Sequence, residues 1–386
     1  MQFKSKPRDN ATTLPVADRL AVAGLSRHWW RGLRMAIAGD RERDGEHLTP
    51  TSTELGRITM KKRAHILAAL AGLMVSGTAM AAHPLQNDVD RDGAADVFFS
   101  GGSSLAYWGL TWDWDNWYEV PIFYSRYLGD AGAGYRVVSV SDFDGNGGAD
   151  VLWTNGTQLK IWINKTDAEG FPGAYTPVSA GTYGRGWEPF AARDINGDRK
   201  SDILFRRGSE LVFWLMDGAT LIQDNYFGDG GPGYRVIALE DYDADGSADV
   251  LWSNGSQLKV WSSRSGHATR VIGNYGGGWE AFAGGDINGD GVADILFRGG
   301  THIAYWLMNG NHQVRGSFYG GDGGAGFRVI AVSDFTDYLG LRKAEIAWAD
   351  SSHIKLWVLH DTLGFVPKIW GPYGGGWQPM NLLIPQ

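Results

Sequence analysis

The chain has 386 residues, 56 glycines, 18 tryptophans and no cysteine, and its formal net charge is −8. The lack of cysteine excludes disulfides and thiolate chemistry. Residues 1–82 are basic and the remainder is acidic, which excludes the basic face that a nucleic-acid-binding protein needs.

Residues 1–59 are polar, without a strand repeat, and read as an N-terminal extension upstream of the functional start. At Met60 the character changes. Lys61, Lys62 and Arg63 precede an apolar run that ends in Ala79-Met80-Ala81. A basic segment, an apolar segment and a small-residue cleavage site make a secretory signal peptide, predicted over 60–82. The mature protein is then expected to start at Ala82 or His83, outside the cell or in the periplasm. The apolar run is short for a membrane span, so an anchor is the weaker alternative and the mature form is expected not to cross the membrane.

Five acidic loops follow, starting 45 to 54 residues apart: DVDRDGAAD (88–96), DFDGNGGAD (142–150), DINGDRKSD (194–202), DYDADGSAD (241–249) and DINGDGVAD (286–294). Oxygen-bearing side chains stand at positions 1, 3, 5 and 9. They are Asp88, Asp90, Asp92 and Asp96; Asp142, Asp144, Asn146 and Asp150; Asp194, Asn196, Asp198 and Asp202; Asp241, Asp243, Asp245 and Asp249; and Asp286, Asn288, Asp290 and Asp294. Hard oxygen donors on a tight loop suit Ca2+, and about five ions are expected, with the position-7 carbonyl as a further ligand. Position 12 is Phe or Trp where an EF-hand has its bidentate Glu, so a strand and not a helix leaves each loop.

After each loop comes a strand, a turn, and a second strand with a shared tryptophan: Trp108, Trp162, Trp214, Trp261, Trp306 and Trp357. Two further strands complete each period. Four short strands per 45 to 50 residues predict an all-β propeller, with six blades of four antiparallel strands over residues 83–386 and seven blades as the alternative. The blades alternate, entered through GDxGxG(Y/F)RV (129–137, 228–236, 321–329) or YGxGW (183–187, 275–279, 373–377). The segment QPMNLLIPQ (378–386) follows the last YGGGW where a sixth acidic loop has already passed. It is expected to supply an inner strand to the first blade and close the ring.

The six recurring tryptophans are expected to pack between blades. Trp187, Trp279 and Trp377, after glycine-rich links, and Trp112, Trp114 and Trp117 in the non-repeating WDWDNWYE loop are the candidate ligand contacts, with core packing the competing reading for each.

The motifs DINGDGVADILFRGG (286–300) and HIAYWLMNG (302–310) resemble the FG-GAP or VCBS repeat family. That resemblance implies a calcium-loop propeller like the integrin α-subunit head and many secreted bacterial proteins. Arg199 in place of the loop glycine, Asn146 in place of an aspartate, and a sixth loop (Asp334 to Glu345) that is too long depart from the pattern. No G-x-S-x-G, H-E-x-x-H or phosphate loop is present. The expected role is a monomeric secreted module that binds glycans or an extracellular or envelope protein. The alternatives are a polysaccharide lyase or glycoside hydrolase on a propeller scaffold, or a structural repeat of an envelope assembly.

Overall fold

The computed structural model describes residues 87–110, 122–165, 175–264, 266–336, 343–360 and 364–384. Residues 1–59, the segment 60–82 expected to be a signal peptide, and the loop bearing Trp112, Trp114 and Trp117 lie outside these residues.

The described residues form twenty-four strands and no helix. In chain order the first blade has β1 (Val97–Gly101), β2 (Ser104–Leu110) and β3 (Ile122–Asp130). The second has β4 (Arg136–Ser141), β5 (Asp150–Thr154), β6 (Gln158–Ile163) and β7 (Thr176–Thr182). The third has β8 (Glu188–Arg193), β9 (Asp202–Arg207), β10 (Glu210–Asp217) and β11 (Thr220–Asp229). The fourth has β12 (Arg235–Glu240), β13 (Asp249–Ser253), β14 (Gln257–Ser262) and β15 (Ala268–Asn274). The fifth has β16 (Glu280–Gly285), β17 (Asp294–Gly299), β18 (His302–Met308) and β19 (Val314–Asp322). The sixth has β20 (Arg328–Ser333), β21 (Glu345–Ala349), β22 (Ile354–His360) and β23 (Gly364–Trp370), and the last strand is β24 (Gln378–Pro379).

These strands make six antiparallel sheets of four, so the molecule is a six-bladed propeller and the seven-blade alternative is not realised. The first sheet runs β24-β1-β2-β3, with Phe99 opposite Pro379 and Ser100 opposite Gln378. The chain's last strand therefore closes the ring on its first blade. Closure gives the first blade the innermost strand that each other blade takes from its own segment, and every innermost edge faces the axis of the ring.

Burial follows position within the blade. The second strands of blades two, four and six (β5, β13, β21) are buried at every residue, because neighbouring blades cover both faces. This is why DVLWT, DVLWS and EIAWA read as near-continuous apolar runs without alternation. The outermost strands are mostly exposed, as in β11.

The recurring tryptophans pack between blades as expected. Each meets a ring on its own blade: Trp261 lies 4.8 Å from Trp252, Trp306 lies 4.8 Å from Phe297 and Trp214 lies 4.8 Å from Phe205. Each of several also faces a glycine on the previous blade's outer strand. A Cβ at Gly129 would stand 2.9 Å from Trp162, and one at Gly228 would stand 3.1 Å from Trp261. A side chain there would occupy the volume of the indole, so the blade interface demands glycine.

The tail after β24 has a second role. Leu382 packs on the clusters at the first blade's two sides, Leu383 on the cluster of blades five and six, and Ile384 on that of blades three and four. Its backbone is tied by Met380 N to Phe98 O and Leu382 N to Ile330 O, each 2.8 Å. The tail thus packs apolar side chains into the axial channel, where it and the innermost strands line a remaining cavity.

Candidate metal centres and aromatic sites

Four of the acidic loops join the innermost strand to the second strand of their blade, and the first leads into β1, the second strand of the blade whose innermost strand is β24, so all five lie at one end of the ring. Within a loop the position-1 aspartate is the organiser. In the third loop Asp194 Oδ1 accepts Gly197 N at 2.6 Å and Asp198 N at 3.2 Å, and Oδ2 accepts Arg199 N at 2.7 Å. Asp286 repeats this with Gly289, Asp290 and Gly291, and Asp142 with Gly145, Asn146 and Gly147. Wrapping the backbone around one carboxylate requires left-handed residues. Position 6 has φ of 94° at Gly93 and 81° at Gly291, and Arg199 is held at 70°. The non-glycine strain expected at Arg199 is therefore present. Position 4 is left-handed too, with Arg91 at 62° and Ala244 at 60°, which sequence reasoning did not single out.

The position-9 aspartate locks the loop to the sheet. Asp294 Oδ2 accepts Ile287 N at 3.0 Å and Oδ1 accepts Met308 N at 2.8 Å. Asp150 and Asp202 make the same pair of bonds. In the first loop Asp96 Oδ2 accepts Val89 N at 2.9 Å, while its Oδ1 is buried with no hydrogen-bond partner. An orphaned carboxylate oxygen among Asp88 and Asp90 is the kind of atom a cation satisfies.

The carboxylates converge. Asp88, Asp90 and Asp96 offer oxygens within 4.8 Å of one another, as do Asp142, Asp144 and Asp150, and Asp241, Asp243 and Asp245. Burial, reinforced by neighbouring aspartates, pushes Asp88, Asp150 and Asp249 up to about 8, Asp202 and Asp294 to about 7, and Asp286 to about 6. Grouped, desolvated carboxylates are costly as bare charges, and a divalent cation offsets that cost. The loops' own side-chain donors are oxygens, which fits Ca2+, while at the fourth loop His312 Nε2 also converges with Asp243 and Asp249. In the third and fifth loops position 3 is asparagine, and Asn196 and Asn288 donate from Nδ2 to the position-5 carboxylates of Asp198 and Asp290.

The loops are not equivalent. Asn146 Oδ1 accepts Arg91 Nη2 at 2.5 Å, so a guanidinium from the first loop already sits at a ligand position of the second. Tyr124 donates its hydroxyl to Asp90. In the fourth loop His312, from the β18–β19 turn of the next blade, brings Nε2 to 3.9 Å from Asp243 and 4.0 Å from Asp249 while bonding Ser262 Oγ at 3.1 Å. No repeat pattern marked His312, because it lies in a turn and meets the loop only across a blade boundary. The sixth loop keeps the frame with a longer carboxylate. Glu345 Oε2 accepts Phe335 N at 2.7 Å, the bond a position-9 aspartate makes elsewhere, and Thr336 Oγ1 donates to Oε1 at 2.5 Å.

All six loops are joined in a ring of backbone hydrogen bonds. The position-8 N–H of each donates to the position-1 carbonyl of the loop before it. Ala149 N reaches Asp88 O, Ser201 N reaches Asp142 O and Ala248 N reaches Asp194 O, each at 2.7 Å. Ala293 N reaches Asp241 O at 2.8 Å and Ala344 N reaches Asp286 O at 2.6 Å. Ala95 N returns to Asp334 O at 2.7 Å and completes the circle.

At the opposite end lie Trp187, Trp279 and Trp377, each half-buried against the core and entering an innermost strand. The structure thus brings these three to equivalent places in blades three, five and one.

The fold is that of a six-bladed β-propeller with acidic turns between its first and second strands. Residues 142–205 and 241–297 match the model of the FG-GAP-like repeat, so the chain carries FG-GAP-like repeats. No curated protein matches the sequence. Among solved structures, a Photorhabdus luminescens Tc holotoxin pore aligns at 12% identity and TM-score 0.48, over 75% of this chain and 14% of that one. The chain therefore spans a small part of that toxin chain. An Agrocybe aegerita lectin that recognises non-reducing terminal N-acetylglucosamine aligns at 17% identity and TM-score 0.50, over 78% of this chain and 85% of the lectin. A streptogramin B lyase aligns at 8% identity and TM-score 0.38, over 73% of this chain and 75% of that one. At such identities the likeness to the lectin is one of fold. No helix among the described residues is long and apolar enough to cross a membrane.

Proposed function

We propose that the protein is a secreted, calcium-stabilised propeller, residues 83–386, released by cleavage of a signal peptide at 60–82 and acting as a binding module for glycans. The observation that carries the calcium reading is the first loop, where Asp88, Asp90 and Asp96 bring carboxylate oxygens within 4.8 Å of one another and one buried Asp96 oxygen has no hydrogen-bond partner. In each loop the side chains at positions 1, 3, 5 and 9 and the position-7 carbonyl would hold the ion. Bound calcium supplies positive charge that neutralises the buried carboxylates. The chain's own part is to hold those oxygens ready through the N–H cradle of position 1 and the two-point lock of position 9.

The binding role is supported by where the ionisable chemistry sits. The carboxylates pushed furthest from their ordinary values are structural members of the loops, hydrogen-bonded to backbone. Half-exposed aromatic rings, in contrast, recur at the opposite end. A lectin shares the fold, which supports a glycan as the ligand class through architecture alone. Titration calorimetry with calcium, followed by a glycan array on the calcium-loaded protein, tests both parts. Finding no calcium uptake would remove the first, and an array without a hit would remove the second. N-terminal sequencing of exported protein tests the cleavage site, and recovery of residues 1–59 on it would refute export by this route.

A further inference from the structure

The fourth acidic loop has a nitrogen donor beside its carboxylates. It comes from the next blade, where the turn between β18 (His302–Met308) and β19 (Val314–Asp322) reads NGNHQ (309–313). This turn lies over the loop, so that a Cβ at Gly310 would stand 3.8 Å from Asp243 O. Gly310 and His312 are both left-handed, with φ of 71° and 59°. Such residues reverse the chain tightly, and histidine is among the few types besides glycine that take this backbone with any frequency. The His312 side chain is only 9% exposed.

Three oxygens converge on one nitrogen of that imidazole. Nε2 lies 3.1 Å from Ser262 Oγ, 3.9 Å from Asp243 Oδ2 and 4.0 Å from Asp249 Oδ2. Asp243, Asp249 and His312 each offer a ligand atom within 4.8 Å of the other two. One N–H or one lone pair on Nε2 serves only one of the three oxygens. Ser262 Oγ also stands 3.1 Å from Asp243 Oδ2, and its single proton cannot go to both neighbours. The other oxygen of Asp243, Oδ1, is buried with no hydrogen-bond partner. Asp249 is fully buried and held in place, with Oδ2 accepting Tyr242 N at 3.2 Å and Oδ1 accepting Ser263 N at 2.9 Å. A serine nucleophile with its base is not built here, because both carboxylates approach the same nitrogen as the hydroxyl and not the opposite one. Two carboxylates and an imidazole gathered around one point are what a cation satisfies.

We propose that His312, Asp243 and Asp249 form a site for a divalent transition-metal ion of the Zn2+ type, with Ser262 Oγ beside it. The site rests on the reading that the acidic loops hold cations, and it gives the fourth loop a preference of its own. Imidazole suits Zn2+ and its neighbours in the first transition row, whereas Ca2+ takes oxygen ligands. Zn2+ stands about 2.0–2.2 Å from nitrogen and oxygen donors, which puts two donors of a four-coordinate ion about 3.4 Å apart. The observed 3.9 Å and 4.0 Å are wider by about half an ångström, a gap that a small rotation of the imidazole closes. Asp243 also belongs to the all-oxygen group with Asp241 and Asp245, so this loop carries both donor sets. The converging groups of the first and second loops are aspartates alone, and the preference is therefore expected at the fourth loop and not at those.

The test uses the full chain without a histidine tag. Calorimetry follows Ca2+ alone and then Zn2+ in excess Ca2+, for the wild type, His312→Ala and His312→Gln. One Zn2+ per chain is expected to bind the wild type. His312→Ala is expected to weaken that binding by about a hundredfold or more, because losing even an outer partner of a metal ligand costs about 10- to 100-fold. His312→Gln keeps a hydrogen-bonding side chain for Ser262 but no imidazole, and is expected to lose Zn2+ to the same extent. X-ray absorption of the Co2+-loaded wild type is expected to show one imidazole in the metal shell, a readout that does not depend on how the variants fold. If the wild type takes up Ca2+ but no Zn2+, if both folded variants keep the wild-type Zn2+ affinity, or if the Co2+ shell is all oxygen, the site is wrong while the calcium reading stands. Zn2+ uptake lost in the His312 variants, with no Ca2+ uptake at any loop, would remove the calcium reading and keep this site. Uptake of neither ion would remove both.

Discussion

Removing calcium is expected to invert the pH dependence of stability. The cause is the set of carboxylates whose folded values lie above their ordinary 3.8: Asp88, Asp150 and Asp249 at about 8, Asp202 and Asp294 at about 7, and Asp286 at about 6. Between pH 3.8 and these values the folded, metal-free chain holds more protons than the unfolded chain. Stability then falls as pH rises, and the loss accrues up to the folded value of each group. One fully engaged group contributes a slope of about 1.4 kcal/mol per pH unit. All six are engaged between pH 5 and 6, which sums to about 8 kcal/mol per unit and rivals the whole stability of a typical domain. The aspartates of one loop interact and share their protons, so the summed slope is smaller, on the order of a few kcal/mol per unit. Calcium reverses the sign, because ligation requires the deprotonated form and protons compete with the metal. Thermal melts from pH 5 to 8, in excess calcium and in chelator, read both slopes. The chelated protein is expected to lose stability steeply toward pH 8, while the calcium-loaded protein holds or gains it. A chelated melt that stays flat or rises over this range would refute the desolvated-carboxylate argument.

Further outcomes follow from single residues. Asp290→Ala removes a partly exposed position-5 ligand and is expected to eliminate one calcium site by calorimetry while leaving the chelated melt nearly unchanged; an equal loss in both conditions would make Asp290 a folding residue instead. Arg199→Gly relieves a left-handed residue with φ of 70° and is expected to stabilise the chain by up to about 1 kcal/mol and to tighten its loop for calcium, read by melting and titration. Gly228→Ala places a Cβ 3.1 Å from Trp261 at a φ of 139° and is expected to cost about 1–3 kcal/mol, read by denaturant unfolding; a neutral result would argue against tight blade packing there. The backbone ring through Asp88, Asp142, Asp194, Asp241, Asp286 and Asp334 ties each loop to the next, so calcium uptake is expected to be positively coupled; an isotherm of independent sites would show that the ring does not transmit order.

What the chain declares by itself is local and repeated. The aspartates at positions 1, 3, 5 and 9, the apolar strands after them and one tryptophan per blade recur at a period that only a propeller accommodates. These features depend on near neighbours, so they survive in a linear reading, and so does the closing role of Gln378 and Pro379. The frame of the acidic loops was legible for the same reason, including the departure at Arg199, which takes the left-handed backbone of the loop glycines. What had to await the folded ring depends on contacts between blades. The repeat does not reveal that Arg91 of one loop reaches Asn146 of the next, or that His312 from a turn 63 to 69 residues on approaches Asp243 and Asp249. Nor does it reveal that Leu382, Leu383 and Ile384 pack into a channel that exists only once six blades surround it. The clearest case is Trp187, Trp279 and Trp377. They are alike in sequence, and their difference lies in whether Arg207 or a glycine faces the indole, about 20 residues away along the chain in two of the three copies and across the ring closure in the other. Side chains so separated meet only when antiparallel pairing folds the blade back on itself, and that pairing is a property of the tertiary structure.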